Sequence, residues 1–349
     1  MLTDLRVSYE PKMSESSTNK MPQTLSKPEL LETLLRAVEA AGYQAIVTAR
    51  KHPFGLIIFK ADEGDSLKAT VYIWNCTHGG RTRAKDEYRV QLTGVVPQIV
   101  PGERTLLLGW HDSYRVFVAF DITKHHGQAS SSPSIQVKEG VLLAAHTRAF
   151  SAYDRGNVEV AIAFRPEFFV EYVRQAPQIH GQHGAIDPYV AALNNVSSLS
   201  DSDIEALPKR RREVVVTIRR KVREADFRAR VLSAYDHQCA MCGMQLRLVE
   251  AAHIVPVADS RSTDETHNGV ALCSVHHDAY DRNFISFTDA YQIEVSRVLE
   301  AELRAANRVG GLSAFKKSLR PAIILPANSR DHPHPLFVRR SREVRRWQS

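Results

Sequence analysis

Two short turns, Cys239-Ala-Met-Cys242 and Cys273-Ser-Val-His276, constrain this chain more than any other feature. Two residues between ligands let both side chains of a turn face one point, and thiolates with an imidazole are the ligands of a tetrahedral structural zinc site. To satisfy one ion, Cys239, Cys242, Cys273 and His276 must be drawn together, so the segment between them folds as a small metal-pinned unit. Gly243, directly after the first turn, relieves its backbone. Three of the four cysteines belong to this pattern and only Cys76 stands apart. A metal rather than a disulfide framework is thus expected, with a reducing, cytoplasmic setting.

With 349 residues, 43% of them hydrophobic, the chain is long enough for two domains, each with a core. No run approaches the roughly 18 apolar residues of a membrane span, and the polar start lacks the apolar segment of a secretory signal, so no membrane partner is expected. The spacing predicts an α+β fold. Residues 1–26 read as a disordered arm. Residues 27–178 read as a domain with a mainly antiparallel sheet: Leu30, Leu31, Leu34, Leu35 and Val38 form one helical face between a Ser26 cap and a Gly42 stop. Short β-branched and aromatic runs follow at 45–48, 55–59, 68–74, 88–92, 105–110 and 114–120, then a helix at 167–175. Residues 179–208 are polar enough for a linker, with a short helix at 188–193. In the remaining domain, 209–349, basic residues bracket the run Val214 to Ile218, which predicts a basic strand. A helix from Phe227 then leads to Tyr235 and the first zinc turn.

The basic surplus lies beside the metal pattern. From residue 201 on there are 25 Lys and Arg against 19 Asp and Glu, whereas the first 200 residues hold 21 against 20. A basic half fits a polyanion because each neutralised phosphate releases counterions; ordinary solubility charge is the plainer reading. Leu246 to His253 is apolar and stops at Pro256, which places His253 at a strand end. There an imidazole can take a proton from water aimed at phosphorus if its other ring nitrogen is held. A lone histidine is more often structural; the second cluster changes that. His277 and Asp281 stand four apart, so on a helix they share a face and can grip one hydrated Mg²⁺ or Mn²⁺.

At these positions the chain resembles the HNH endonuclease family: Val249-Glu-Ala-Ala-His-Ile-Val-Pro256, Asn268-Gly, Leu272-Cys-Ser-Val-His-His277 and Asp281 carry the likeness, with His253, Asn268 and His277 matching the three letters. The stretch from about Arg219 to the end is similar to the HNH domain of bacterial restriction endonucleases. The resemblance implies a ββα-metal fold cutting double-stranded DNA to a 5′ phosphate and a 3′ hydroxyl. It implies His253 as general base, Asn268 fixing the loop that orients it, and His277 with Asp281 holding the catalytic ion. One position departs: many members carry an Asp or His ligand where Ala252 stands. Glu250, on the same strand face, is the candidate replacement, against its plain reading as a surface carboxylate. With one centre per chain, a double-strand break needs a homodimer or sequential nicking.

A small nuclease domain has little selectivity of its own, so the preceding domain is expected to read the target. Its most distinctive stretch, Tyr72 to Gln91, offers Arg81, Arg83 and Arg89 to phosphates and Trp74, Asn75, His78 and Tyr88 to bases. Lys209, Arg210, Arg211 and Arg212 add a basic run. Core packing of Trp74 and Tyr88 is the structural alternative. Two other functions stay open: a non-catalytic zinc-stabilised nucleic-acid-binding protein, and a nuclease released by a ligand of its first domain.

Overall fold

The computed structural model describes residues 24–348 apart from 61–62, 81–83, 128–132, 156–158, 182–185 and 247. The chain divides into two compact units, Met1–Asn194 with Leu207–Arg211, and Asn195–Ala206 with Arg212–Ser349.

In the first unit, helix α1 (Lys27–Ala40) opens where the N–H and Oγ of Ser26 both donate to Glu29 Oε2, at 2.7 and 2.6 Å. It closes into Gly42 at φ +82°. Residues 24–26, assigned by composition to the arm, are tied down: Leu25 N donates to Asn75 Oδ1, and Asn75 Nδ2 donates to Leu25 O. The rest of the arm lies outside the described residues.

The strands are β1 (Gln44–Ala49), β2 (Phe54–Lys60), β3 (Glu63–His78), β4 (Glu87–Gln91), β5 (Arg104–His111), β6 (Val116–Phe120), β7 (Ser134–Lys138), β8 (Phe150–Asp154) and β9 (Val160–Phe164). They run in the order β1-β2-β3-β5-β6-β9-β8, with β4 joining β3 to β7. Only the β3–β5 pairing among these is parallel, with Tyr72 opposite Leu107, so the sheet is mainly antiparallel as expected. Alternation sends Trp110, Phe117 and Phe164 into a buried aromatic cluster that α4 (Phe169–His180) completes with Phe169 and Tyr172. Helices α2 (Ile122–His125) and α3 (Glu139–Arg148) lie before α4, and α5 (Ile186–Asn194) follows it. Asn194 Nδ2 donates to Ala152 O, which fastens the end of α5 to β8 inside the stretch read as a linker.

The second unit begins with α6 (Asp201–Glu205) and the long α7 (Lys209–Ala234), which crosses from one unit into the other. Here the expected basic strand is corrected: Val214 to Ile218 is helical. Val214, Val215, Ile218 and Val222 are buried while Val216 is 47% exposed, a helical stripe whose burial overrides β-branched propensity. A hairpin of β10 (Val249–His253) and β11 (Gly269–Cys273) leads into α8 (Ser274–Asp281), giving the ββα order. Strands β12 (Ile285–Phe287) and β13 (Ile293–Val295), then α9 (Arg297–Ala305), α10 (Leu312–Ser318) and α11 (Pro335–Val344), complete it.

Candidate active site and zinc cluster

The first zinc turn follows α7 directly. Gly243, at φ +82°, donates its N–H to Cys239 O at 2.7 Å, and Cys239 N donates to Met244 O at 2.8 Å. The second turn is a strand-to-helix junction: Cys273 ends β11 and His276 lies in the first turn of α8. Ala240 N donates to Ala271 O, and Ile324 N to Ala240 O, so β11 and the segment before α11 hold the first turn from two sides.

The ligand atoms of Cys239, Cys242, Cys273 and His276 lie within 4.8 Å of one another, so the cluster can hold a zinc ion. Burial pushes all three thiols up, a penalty that a bound cation reverses by stabilising thiolates. The imidazole is already suited to its part. Burial pushes His276 down, favouring the neutral ring, and its Nδ1 stands 3.2 Å from Cys273 Sγ. Ser318 Oγ donates to Phe315 O at 2.6 Å and so accepts at 3.3 Å from His276 Nε2, leaving the Nδ1 lone pair for the metal.

On the hairpin, His253 pairs with Gly269 and Glu250 with Leu272. Asn268 is fully buried and pins the loop between the strands. Its Oδ1 accepts from Val255 N at 3.0 Å, its Nδ2 donates to Thr263 O at 2.8 Å, and its own carbonyl accepts from Ile254 N. Gly269 is required by the approach of α7. A Cβ there would collide with Val231 Cγ2 and lie 3.1 Å from Phe227 Cζ. We expect Gly269→Ala to destabilise the second unit by about 1–3 kcal/mol through overpacking, measured as an earlier unfolding transition; an unchanged melt would contradict this packing.

His253 stacks on Phe227, ring centroids 3.8 Å apart and 9° from parallel. Its Nε2 lies 3.1 Å from Asp264 Oδ1, and Arg223 NH2 lies 2.6 Å from Asp264 Oδ2. Burial pushes the Asp264 carboxyl up, but the hydrogen bonds from His253 and Arg223 outweigh it and hold the group below the usual carboxylate range. Asp264, Phe227 and Arg223 were not legible as site residues.

His277 and Asp281 lie on one face of α8, Nε2 to Oδ2 3.4 Å. Glu250 Oε2 is 3.0 Å from His277 Nδ1. Glu250, the candidate third ligand, thus meets His277 at the ring nitrogen opposite the one that faces Asp281. Its hydrogen bond, helped by the Asp281 charge, keeps His277 above the usual imidazole range despite burial. Arg345, another residue the sequence did not reveal, reaches Asp281 Oδ1 at 3.1 Å and lies over the Tyr280 ring. Ala252 is buried and turned to the core.

Several expected DNA contacts fare differently. Arg81 and Arg83 lie outside the described residues. Arg89 is half-buried opposite Gln136 on the sheet. Lys209 and Arg210 are exposed, and Arg212 donates to Glu205 O. Arg211 is only 3% exposed, which removes it from a phosphate-facing surface. Trp74 is buried and donates to Thr93 O, and Tyr88 Oη faces Glu139 at 3.4 Å. The packing alternative therefore holds for Trp74.

Residues 67–173 match the family described as methylase-associated X1, and residues 239–288 match the HNH endonuclease family. No curated protein matches the chain. Among solved structures, a modification-dependent TagI restriction endonuclease aligns over 80% of this chain and 81% of its own at 13% identity, with a TM-score of 0.27. Among the described residues no helix is long and apolar enough to cross a membrane. Residues 239–288 are an HNH endonuclease domain, and the chain is accordingly a nuclease, a hydrolase of phosphodiester bonds.

Proposed function

We propose that the chain is a divalent-metal-dependent DNA endonuclease of the restriction type, cutting double-stranded DNA to a 5′ phosphate and a 3′ hydroxyl, with target choice made by its first unit. One observation carries the metal dependence. A carboxylate only accepts hydrogen bonds, so Glu250 fixes the hydrogen of His277 on Nδ1. Asp281 Oδ2 faces Nε2 as well, so the two carboxylates draw the ring toward its protonated form; a cation would take the place of the Nε2 hydrogen between imidazole and carboxylate, a donor pair that attracts one.

His277 and Asp281 would hold Mg²⁺ or Mn²⁺, and such an ion stabilises charge on the phosphate and the leaving oxygen. The chain's own groups do the rest. Asn268 ties the hairpin loop so that the end of β10 is fixed, and His253, on that end, accepts a proton from water. Arg345 keeps Asp281 from swinging off α8. The restriction reading draws on the pairing of a methylase-associated domain with a nuclease, since a cutter working beside a methylase needs a reader of modification. Double-strand cleavage by one centre per chain would require two chains or two successive nicks.

Supercoiled plasmid, modified and unmodified, is the test substrate, with Mg²⁺ or Mn²⁺ varied and cut positions sequenced. Cleavage that depends on metal and on modification state supports the proposal; no nicking under any metal would sink it. Glu250→Ala is expected to weaken the catalytic ion about 10- to 100-fold by freeing the His277 ring, seen as a rightward shift in the metal dependence of nicking. An unshifted curve would detach Glu250 from the metal site.

A further inference from the structure

The geometry points to Asp264 as the positioning residue of this nuclease, a carboxylate that holds one nitrogen of His253 so that the other is free to act as the base. The inference rests on the reading of His253 as general base and adds the group that orients it. Asp264 Oδ1 is 3.1 Å from His253 Nε2. Because an ionised carboxylate has no hydrogen to give, the shared hydrogen sits on Nε2, and the neutral ring carries its lone pair on Nδ1. No described residue hydrogen-bonds that Nδ1.

Three residues of α7 build the arrangement from one helical face. Arg223 NH2 grips Asp264 Oδ2 at 2.6 Å, Arg230 NH2 donates to the Asp264 carbonyl at 2.6 Å, and Phe227 lies flat against the imidazole. Spaced four and three apart, they form a stripe that fixes carboxylate, loop and ring together. Asp264 is itself partly desolvated, with its side chain 27% exposed, yet Arg223 and His253 hold it ionised.

In the reaction, water passes a proton to His253 Nδ1 as its oxygen bonds to phosphorus and the P–O3′ bond breaks; the leaving oxygen is protonated from solvent. The imidazolium so formed then faces the Asp264 carboxylate, which stabilises it without taking the proton.

The test compares wild type, His253→Ala, Asp264→Asn and Asp264→Glu as full-length, zinc-loaded protein. DNA affinity, single-turnover nicking rate and ¹⁵N-histidine spectra are measured, with the His253 signals assigned by their loss in His253→Ala. Asp264→Asn should lower the rate about 100-fold at unchanged DNA affinity, with partial recovery in Asp264→Glu. The wild-type spectrum should show hydrogen on Nε2. If His253→Ala is inactive while Asp264→Asn keeps the full rate, the positioning role is overturned and the base survives. If His253→Ala is fully active, the reading beneath it fails instead. Should Asp264→Asn not fold, the wild-type spectrum decides: hydrogen on Nδ1 overturns the assignment.

Discussion

Replacing His253 with alanine should reduce plasmid nicking about 10²- to 10⁴-fold, the range associated with loss of a general acid or base. DNA affinity and zinc content should stay near wild type. The imidazole has 15% of its side chain exposed, rests on Phe227 and is gripped at Nε2. It therefore has one nitrogen committed to the scaffold and one available for chemistry. Its loss leaves a gap beside Phe227, so a modest fall in melting temperature is expected with the loss of rate. His253→Gln separates these effects, since it fills more of the gap but cannot take a proton. Equal inactivity in both variants, with the melt restored in the second, is the result expected of a base. Activity in the glutamine variant would assign His253 to packing.

How much of this was legible in the sequence depended on range. Each half of the Cys239, Cys242, Cys273 and His276 cluster, and the shared face of His277 and Asp281, follow from spacings of three to four positions, which local geometry fixes before tertiary contacts form. Glu250 was visible as a strand residue beside His277 but not in its hydrogen bond to that ring, because register and rotamer decide which edge of His277 it reaches. Asp264 sits in a polar loop with no periodicity and meets His253 only when Asn268 closes that loop. Arg345 reaches Asp281 across 64 residues, beyond any local pattern. Trp74 shows the converse limit: an aromatic on a strand fits a stacking platform or a core equally well until the strand's facing is known, and here it faces inward. The misread start of α7 has the same origin, since β-branched residues at helical spacing yield to the burial of one stripe.

The Cys239, Cys242, Cys273 and His276 cluster can hold zinc, and stripping that ion is expected to unfold the second unit while leaving the first with its own transition. Cys239 and Cys273 are part of the buried core that contains Tyr235, Leu272 and Ile323, so the cluster is built into the packing. Structural zinc sites contribute about 10–16 kcal/mol of apparent binding energy, comparable to or larger than the roughly 5–15 kcal/mol that holds a whole domain. Without the ion, the three thiols, two of them buried, revert to neutral groups packed against one another, and the turn at Cys239 loses the partner that joins it to α8. Cys273→Ser, or chelation of the wild type, should therefore abolish the higher-order signal of the second unit in near-ultraviolet circular dichroism and remove one zinc per chain. A chelated, zinc-free protein with an unchanged melt would contradict this. His277→Ala gives the sharper contrast: one residue from a zinc ligand, it should stop nicking and yet keep the zinc and the fold, because its imidazole belongs to the Glu250 and Asp281 side of α8.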